Sequence, residues 1–447
     1  MFSPDDTIVA IATPPGRGGI GVVRLSGPAS PSIASALSGR SAFRPRYATL
    51  TTLTGADGAP IDRAVVIFFP APHSYTGEDV IEISTHGSPV VSNAVVAAAL
   101  ARGARLANPG EFTFRAFLNE RIDLVQAEAI GDLVDAVTPL QARVAFDQLD
   151  GTLTTRLLEM DAALLQLIAP LEASLDFPDE GYHFVAPDEA GRGITAALAS
   201  LEALLADARR GRMIREGVIT AIVGRPNAGK SSLFNRLAGA SRAIVTDIPG
   251  TTRDLLTERI DIGGVPCTLV DTAGLHGGAG DVVEAEGIAR ARKALETADL
   301  VLLVLDRSRP MDEDDARLLD AIDPSRRVAI ASKSDLPAAW DPERIDALEA
   351  SSVTGAGMDA LRERIASFAG VSELRDSAPI ANQRHVALLA KAREALARAA
   401  AAAASGTPEE FVLADLYDAR MRFDEITGAR PQDEVLAQIF ERFCIGK

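Results

Sequence analysis

The sequence predicts a multidomain α/β plus α chain in which a largely parallel α/β unit interrupts a helical domain. Three observations lead there. β-Branched runs separated by turn residues fill residues 1 to about 118. Apolar residues then recur at helical spacing from about 120 to 212 and again after Val371. Between those stretches, strands alternate with helices for about 155 residues from Val218, as in a parallel sheet covered on both faces.

In chain order, TIVAIAT (7–13) and GIGVVRL (19–25) read as strands around PPGRGG, a turn or binding loop by composition. RAVVIFFP (63–70) and DVIEIST (79–85) are further strands, and SPVVSNAVVAAALARG (88–103) is a helix ending at Gly103. RIDLVQAEAIGDLVDAV (121–137) sets Ile122, Val125, Ile130 and Val134 near one another on a helical surface. TRLLEMDAALLQLIAPLEASLDF (155–177) repeats the pattern, with Pro170 predicting an interruption or kink. A third helix spans 194–217, and three such helices make a bundle. VITAIVG, PCTLVD, LVLLVLD and RVAIAS are the strands of the α/β unit; helices return over about 382–402 and 408–445. The expected domains are 1–118, mixed α/β; 119–215 and 372–447, the two parts of the helical domain; and 216–371, the insert. An inserted domain needs ends that lie close together.

Composition narrows the function classes. The 447 residues carry 45 Lys plus Arg against 62 Asp plus Glu, a formal net charge of -17. That excludes a basic coat protein for nucleic acid, though not an enzyme that meets RNA through a local patch. Two cysteines, Cys267 and Cys444, make no disulfide framework, and no Cys/His spacing suits zinc. The acidic N-terminus is unlike a signal peptide, and no apolar run reaches about 18 residues. A soluble cytoplasmic protein without a membrane span is the expectation.

Chemistry concentrates in the insert. GRPNAGKS, Gly224–Ser231, satisfies G-x-x-x-x-G-K-[ST] between a strand and a helix. Its glycines let backbone amides face phosphates, with Lys230 on the β and γ phosphates and Ser231 on magnesium. DTAG (Asp271, Thr272, Ala273, Gly274) ends the PCTLVD strand, so Asp271 serves magnesium through water and the Gly274 amide faces the γ phosphate. IVTDIPGTTRD (244–254) has the composition of a mobile switch, with Thr252 or its neighbour Thr251 as the magnesium hydroxyl. SKSD (332–335) offers Asp335 to the guanine edge and the Lys333 stem to the base, while SSVTG (351–355) completes the pocket. Ser332 replaces the usual Asn. A hydroxyl is shorter than an amide and has fewer bonding functions, so the change bears more on affinity than on guanine choice. Leu275 stands where a Ras-like enzyme has a water-orienting Gln, so hydrolysis needs help elsewhere. The Asn227 amide is one source, as ligand to a monovalent cation beside the phosphates, or else it only shapes the loop.

The assembled sequence resembles the MnmE (TrmE) family of tRNA-modification GTPases over essentially its whole length. The resemblance is carried by DTIVAIATPPGRGGIGVVRLSG (6–27), SYTGEDVIEISTHG (74–87), NPGEFTFRAFLNERIDLVQAEAI (108–130), the insert motifs and the terminal FCIGK (443–447). It implies a folate-binding, dimerising N-terminal domain, a discontinuous helical domain and an inserted Ras-like P-loop GTPase domain. It further implies a homodimer acting with MnmG, which carries FAD, to install a C5 aminomethyl or carboxymethylaminomethyl group on the tRNA wobble uridine. A 5,10-methylene- or formyl-tetrahydrofolate is the implied carbon donor, and GTP hydrolysis is magnesium-dependent and potassium-stimulated.

Residue by residue, the resemblance implies nucleotide contacts along Asn227, Ala228, Gly229, Lys230, Ser231 and Ser232, and along Thr246, Asp247, Ile248, Thr251 and Thr252. The DTAG residues, Ser332, Lys333, Asp335, Ser351 and Ser352 complete the set. Potassium falls to Asn227, Thr246, Ile248 and Thr251, magnesium to Ser231 and Thr252, and the attacking water to Glu284, with Lys230 as the other catalytic group. Folate falls to Arg24, Glu82, Arg121 and Lys447, where Arg121 stands at a position that can be lysine in the family. Cys444 matches a family cysteine considered for covalent chemistry on the uracil ring; ahead of that role it is read as lining the site or as a small buried hydrophobe near a helix end. Two rival readings are a regulatory GTPase switch and a tRNA-delivery subunit with no direct part in carbon transfer.

Overall fold

The computed structural model describes residues 6–176, 187–240, 256–271, 295–370, 380–430 and 433–446. They divide into two compact units, one of Met1–Gly131, Leu149–Thr154 and Phe423–Lys447, the other of Asp132–Gln148 and Thr155–Arg422.

The first unit is built on a six-stranded sheet of order β3-β4-β5-β2-β1-β6, formed by β1 (Ile8–Ile11), β2 (Ile20–Ser26), β3 (Thr49–Thr54), β4 (Pro60–Phe69), β5 (Val80–His86) and β6 (Arg105–Leu106). Neighbours run antiparallel except β1 with β6. Strand period decides the two faces. Val9, Val23, Leu25, Ile81 and Ile83 face helices α1 (Ser30–Ser38) and α2 (Pro89–Leu100), burying with Ile33, Leu37, Val95 and Ala99. Their alternates, Ile8 and Ala10, turn to a second core with Ala107 and Phe112 of α3 (Glu111–Leu118). The C-terminal helix Asp433–Phe440 packs Leu436 and Phe440 against Phe114, Leu124 and Ala127, with the Phe114 and Phe440 rings edge-to-face at 5.0 Å. Beyond it the chain end returns to the sheet: Ile445 bridges Pro109, and a Cβ on Gly446 would lie 2.3 Å from the Ile11 carbonyl oxygen. Only glycine, at φ 101°, passes there. β3 and β6 carry weak patterns, an exposed Thr-rich edge and a two-residue strand, which is why apolar periodicity did not predict them.

The predicted helices are cut differently from their apolar spacing. RIDLVQAEAIGDLVDAV forms α4 (Leu124–Asp135), which carries Val125, Ile130 and Val134, begins after Ile122 and leaves Val134 45% exposed. After α5 (Pro139–Leu149), α6 (Thr152–Asp176) continues through Pro170 instead of breaking there. The third predicted helix is two, α7 (Pro187–Ala206) and α8 (Ala208–Glu216). The last predicted helix is also two, Glu409–Thr427 and Asp433–Phe440.

The α/β unit holds a second six-stranded sheet, order β12-β11-β10-β7-β9-β8, from β7 (Val218–Val223), β8 (Leu256–Ile262), β9 (Val265–Asp271), β10 (Leu300–Asp306), β11 (Arg327–Ser332) and β12 (Leu348–Glu349). All neighbours are parallel except β8 with β9. Every residue of β10 from Leu300 to Leu305 is buried, the continuous apolar run that an internal parallel strand requires. The two ends of the unit meet, as an insertion demands: Gln383 donates to Glu216 at 2.9 Å, and a Cβ on Gly211 would stand 2.1 Å from the Ile380 oxygen.

A candidate GTPase site and a second polar site on the N-terminal sheet

In a parallel sheet, ligand-binding loops gather at the carboxyl ends of the strands. Here β7 ends in the phosphate loop, β9 in Asp271, β10 in Asp306 and β11 in Ser332, with Ile222 opposite Asp271 and Asp306 opposite Ser332. α9 (Lys230–Ala240) begins at the loop's last residue, so its first amides add a positive helix end. Gly224, Asn227 and Gly229 have φ of 154°, 63° and 102°, three positive-φ positions of the kind a backbone anion nest uses. At Gly224 a Cβ would lie 2.2 Å from the Val304 oxygen, so the loop passes β10 only without one. Lys230, nearly buried, donates to the Arg225 carbonyl at 2.7 Å, a bond that curls the loop round its ammonium. Ser231 is exposed at the start of α9.

Asparagine tolerates the left-handed backbone of Asn227, so the loop-shaping reading has support. Loop shape uses only its backbone, however. Its exposed amide makes no hydrogen bond among the described residues.

The base loop is tied down residue by residue. The Ser332 hydroxyl is 2.6 Å from the Ala228 oxygen and 3.0 Å from the Leu305 oxygen, so its one proton joins this loop to the phosphate loop and to β10. Serine thus keeps a strut between the two loops despite its short reach. Lys333, at φ 58°, sets its ammonium 2.6 Å from Asp306. Burial pushes the Asp306 carboxyl up, but Lys333 and Ser308 outweigh it and hold the group below the usual carboxylate range. Asp335 accepts from the buried Ser351 hydroxyl at 2.5 Å, and Ser351 also accepts from the Val353 and Thr354 amides. Ser352 follows in the same turn.

Two participants escaped the sequence reading. Asp306 positions Lys333, and its place at the end of the LVLLVLD strand was the available signal. Arg225 pairs with Asp312 and, at 3.5 Å, with Asp315, linking the phosphate loop to the capping box of helix Glu313–Ala321. Thr246, Asp247, Ile248, Thr251, Thr252, Thr272, Ala273, Gly274, Leu275, Glu284 and Lys447 lie outside the described residues.

In the first unit, Arg24 and Glu82 are register partners on β2 and β5, on the face away from α1 and α2. The guanidinium binds Glu82 Oε1 through Nη2 at 2.7 Å and Nε at 3.0 Å. Its carbon lies 5.2 Å from the Tyr75 ring centre and 5.7 Å from that of Phe112. A charged pair whose guanidinium lies by two aromatic rings suits a flat, polar heterocycle. Gly446 packs at Ile11, adjacent to the Ala10 that pairs with Arg24. Arg121 is exposed, its stem against Gly77.

Cys444 is exposed, which corrects the buried-hydrophobe reading: the last helix stops at Phe440, before it. Cys267 is wholly buried on β9 beside the Thr220 hydroxyl at 3.0 Å, and burial pushes its thiol up to about 12. In a thiol titration of the folded chain, one equivalent therefore reacts rapidly and the second only after unfolding. Two fast thiols would contradict this placement.

A nested phosphate loop, a lysine at its helix end and an Asp-bearing base loop on one parallel sheet define a P-loop GTPase, a magnesium-dependent GTP-hydrolysing enzyme. The comparisons make this particular. The family model described as MnmE helical domain matches residues 124–444, and that described as GTP-binding protein TrmE N-terminus matches 7–121. The chain is 45% identical to the tRNA modification GTPase MnmE of Koribacter versatilis, over 99% of each chain. It is 42% identical to that of Nitrosomonas europaea over 100% of each, and 46% to that of Xanthomonas campestris pv. campestris over 100% of each. The chain belongs to the MnmE (TrmE) family.

Proposed function

We propose that this GTPase works with MnmG in the C5 aminomethyl or carboxymethylaminomethyl modification of the tRNA wobble uridine, and that it draws on a reduced folate held by its N-terminal domain. The relatives' shared designation as tRNA modification GTPases supports the first part. The observation that carries the second is the Arg24–Glu82 pair, its guanidinium by the Tyr75 and Phe112 rings, with the chain end beside it. Glu82 would accept pterin N–H donors, Arg24 would face the polar edge, and Arg121 and Lys447 would contribute charge; Cys444 would line the approach. The donor is a 5,10-methylene- or formyl-tetrahydrofolate, and FAD belongs to MnmG.

The functional divisions are 1–118 for folate binding and dimerisation, 119–215 with 372–447 for the helical domain, and 216–371 for GTP hydrolysis. No helix among the described residues is long and apolar enough to cross a membrane. A cytoplasmic homodimer fits this reading.

In the GTPase site, Lys230 and the loop amides hold the phosphates and stabilise charge that develops on them. Ser231 and Thr252 would hold magnesium. Asn227, Thr246, Thr251 and the Ile248 carbonyl would hold potassium, whose charge takes the place of an arginine finger. Glu284 would orient the attacking water, work that Leu275 has no group to do. Because Asn227 sits at φ 63°, Asn227→Gly removes the amide without straining the backbone. That variant is expected to lose the potassium stimulation while retaining GDP; an undiminished potassium response would remove Asn227 from the ligand set.

Equilibrium titration with 5-formyl-tetrahydrofolate tests the folate reading. Binding is expected, weakened at least about tenfold by Glu82→Gln, the scale of one lost charge-assisted hydrogen bond. No measurable binding by the unaltered chain would instead favour a tRNA-delivery role without carbon transfer.

A further inference from the structure

One asymmetry of charge is left unused by either site. The chain averages about one acid in seven residues, 62 in 447, yet residues 7–56 hold none, while five arginines fall there: Arg17, Arg24, Arg40, Arg44 and Arg46. Arg24 belongs to the N-terminal pocket. The last three lie on the exposed segment that follows α1 and leads into the edge strand β3.

This segment is built, not loose. Pro45 bridges Phe68 of β4, and the Arg46 amide donates to the Phe68 oxygen at 2.8 Å, which fixes Arg46 at φ 56°. A left-handed arginine costs backbone energy that glycine or asparagine would not. Arg46 lies over the Phe69 ring at 5.7 Å and donates to the His73 carbonyl; Arg44 lies over the half-exposed Tyr47 ring at 5.4 Å. Arg40, Arg44 and Arg46 make no ion pair with a carboxylate among the described residues. In a chain of net charge -17, the 50 residues from 7 to 56 supply no acid of their own to answer them.

Guanidiniums without a carboxylate partner, one of them over the exposed Tyr47 ring, on a stretch of chain free of acids, match what a nucleic-acid backbone requires. The cations take phosphates with their fork of N–H donors, and the rings accept stacked bases. We propose that the Arg40–Tyr47 edge of the N-terminal sheet is an RNA-contacting surface, and that the RNA is the tRNA substrate. The inference rests on the tRNA reading above and adds where the tRNA lies on this chain. It also reconciles an acidic protein with a polyanionic substrate: binding is confined to one arginine edge, so repulsion elsewhere sharpens placement.

The test is binding of an unmodified tRNA transcript to the full chain, by fluorescence anisotropy at several salt concentrations. The Arg40 and Arg44 side chains make no described hydrogen bond, so Arg40→Gln/Arg44→Gln should melt as the unaltered chain does. Its Kd is expected to rise about tenfold, and the log–log salt slope to become shallower by about two, one for each phosphate no longer neutralised. Arg40→Lys/Arg44→Lys, which keeps the charge, should recover most of the slope. An unchanged Kd and slope in the glutamine variant would overturn the proposal, as would a weaker Kd with the slope unchanged. The same holds if the variant keeps tRNA and loses an acidic protein partner instead. If the unaltered chain shows no salt-dependent tRNA binding, the tRNA reading itself fails, and this surface with it.

Discussion

Lys230→Ala should lower kcat/KM for GTP hydrolysis by about a hundredfold to a thousandfold, the usual loss when one preorganised charge-stabilising group is removed. Lys230 is the last residue of the phosphate loop and the first of α9, and its ammonium is held 2.7 Å from the Arg225 carbonyl. Loop amides and helix end are supplied by backbone and survive the substitution, so nucleotide binding weakens less than turnover does. A steady-state phosphate-release assay separates the two effects. Activity within a few-fold of the unaltered chain would mean that the loop is not the hydrolytic centre.

A second large effect is expected far from the nucleotide. Under β1, Arg105 and Arg115 face three acids: Asp6, Glu78 and Glu111. Arg115 is 2% exposed and Glu111 fully buried. Removing one member of such a network leaves buried charge uncompensated, so Arg115→Met should destabilise by about 3–5 kcal/mol. The pH dependence follows. Arg105 chiefly, against some burial and with help from Arg115, holds Asp6 below its usual range. Burial pushes Glu111 up, but Arg105, the Asn108 amide and Arg115 outweigh it and hold it low. A carboxyl lowered in the folded state stabilises fully above its unfolded pKa of about 4, and that contribution is lost as pH falls through the lowered folded value. In the Met variant those folded values rise, so its acid unfolding limb should begin at higher pH. Equilibrium denaturation from about pH 3 to about pH 7 reads this directly; coincident limbs would show the network to be inert.

How much of this was legible in the residues depends on the kind of signal. Motif spacing set residues 224–231 between a strand and a helix and 332–335 at a strand's end, where the structure has them, because such turns are dictated locally. Apolar periodicity found the inner strands, but not β3, β6, β8 and β12: β3 is an exposed edge, β6 and β12 have two residues each, and in the edge strand β8 the buried Ile260 and Ile262 stand among charged neighbours. It also ran helices together where the breaks lie at Asp207 and near Gly428, since a turn between helices leaves the apolar spacing almost intact. Long-range ties were invisible. Nothing local shows that Ser332 reaches Ala228, that Asp306 holds Lys333, or that Gly446 returns to β1. The Ser332 strut bears on the one departure from the usual base-loop pattern: position, not side-chain length, lets a hydroxyl join the loops.

The central claim is that GTP hydrolysis on this chain serves tRNA wobble-uridine modification. Nucleoside analysis of tRNA from cells lacking the gene, complemented with the unaltered chain or with Lys230→Ala, tests it most directly. The account predicts that the C5 aminomethyl-type wobble nucleosides disappear on deletion, return with the unaltered chain and stay absent with Lys230→Ala. Wobble uridines that keep their modification in the deletion strain would contradict it, and would leave a regulatory GTPase switch as the better reading.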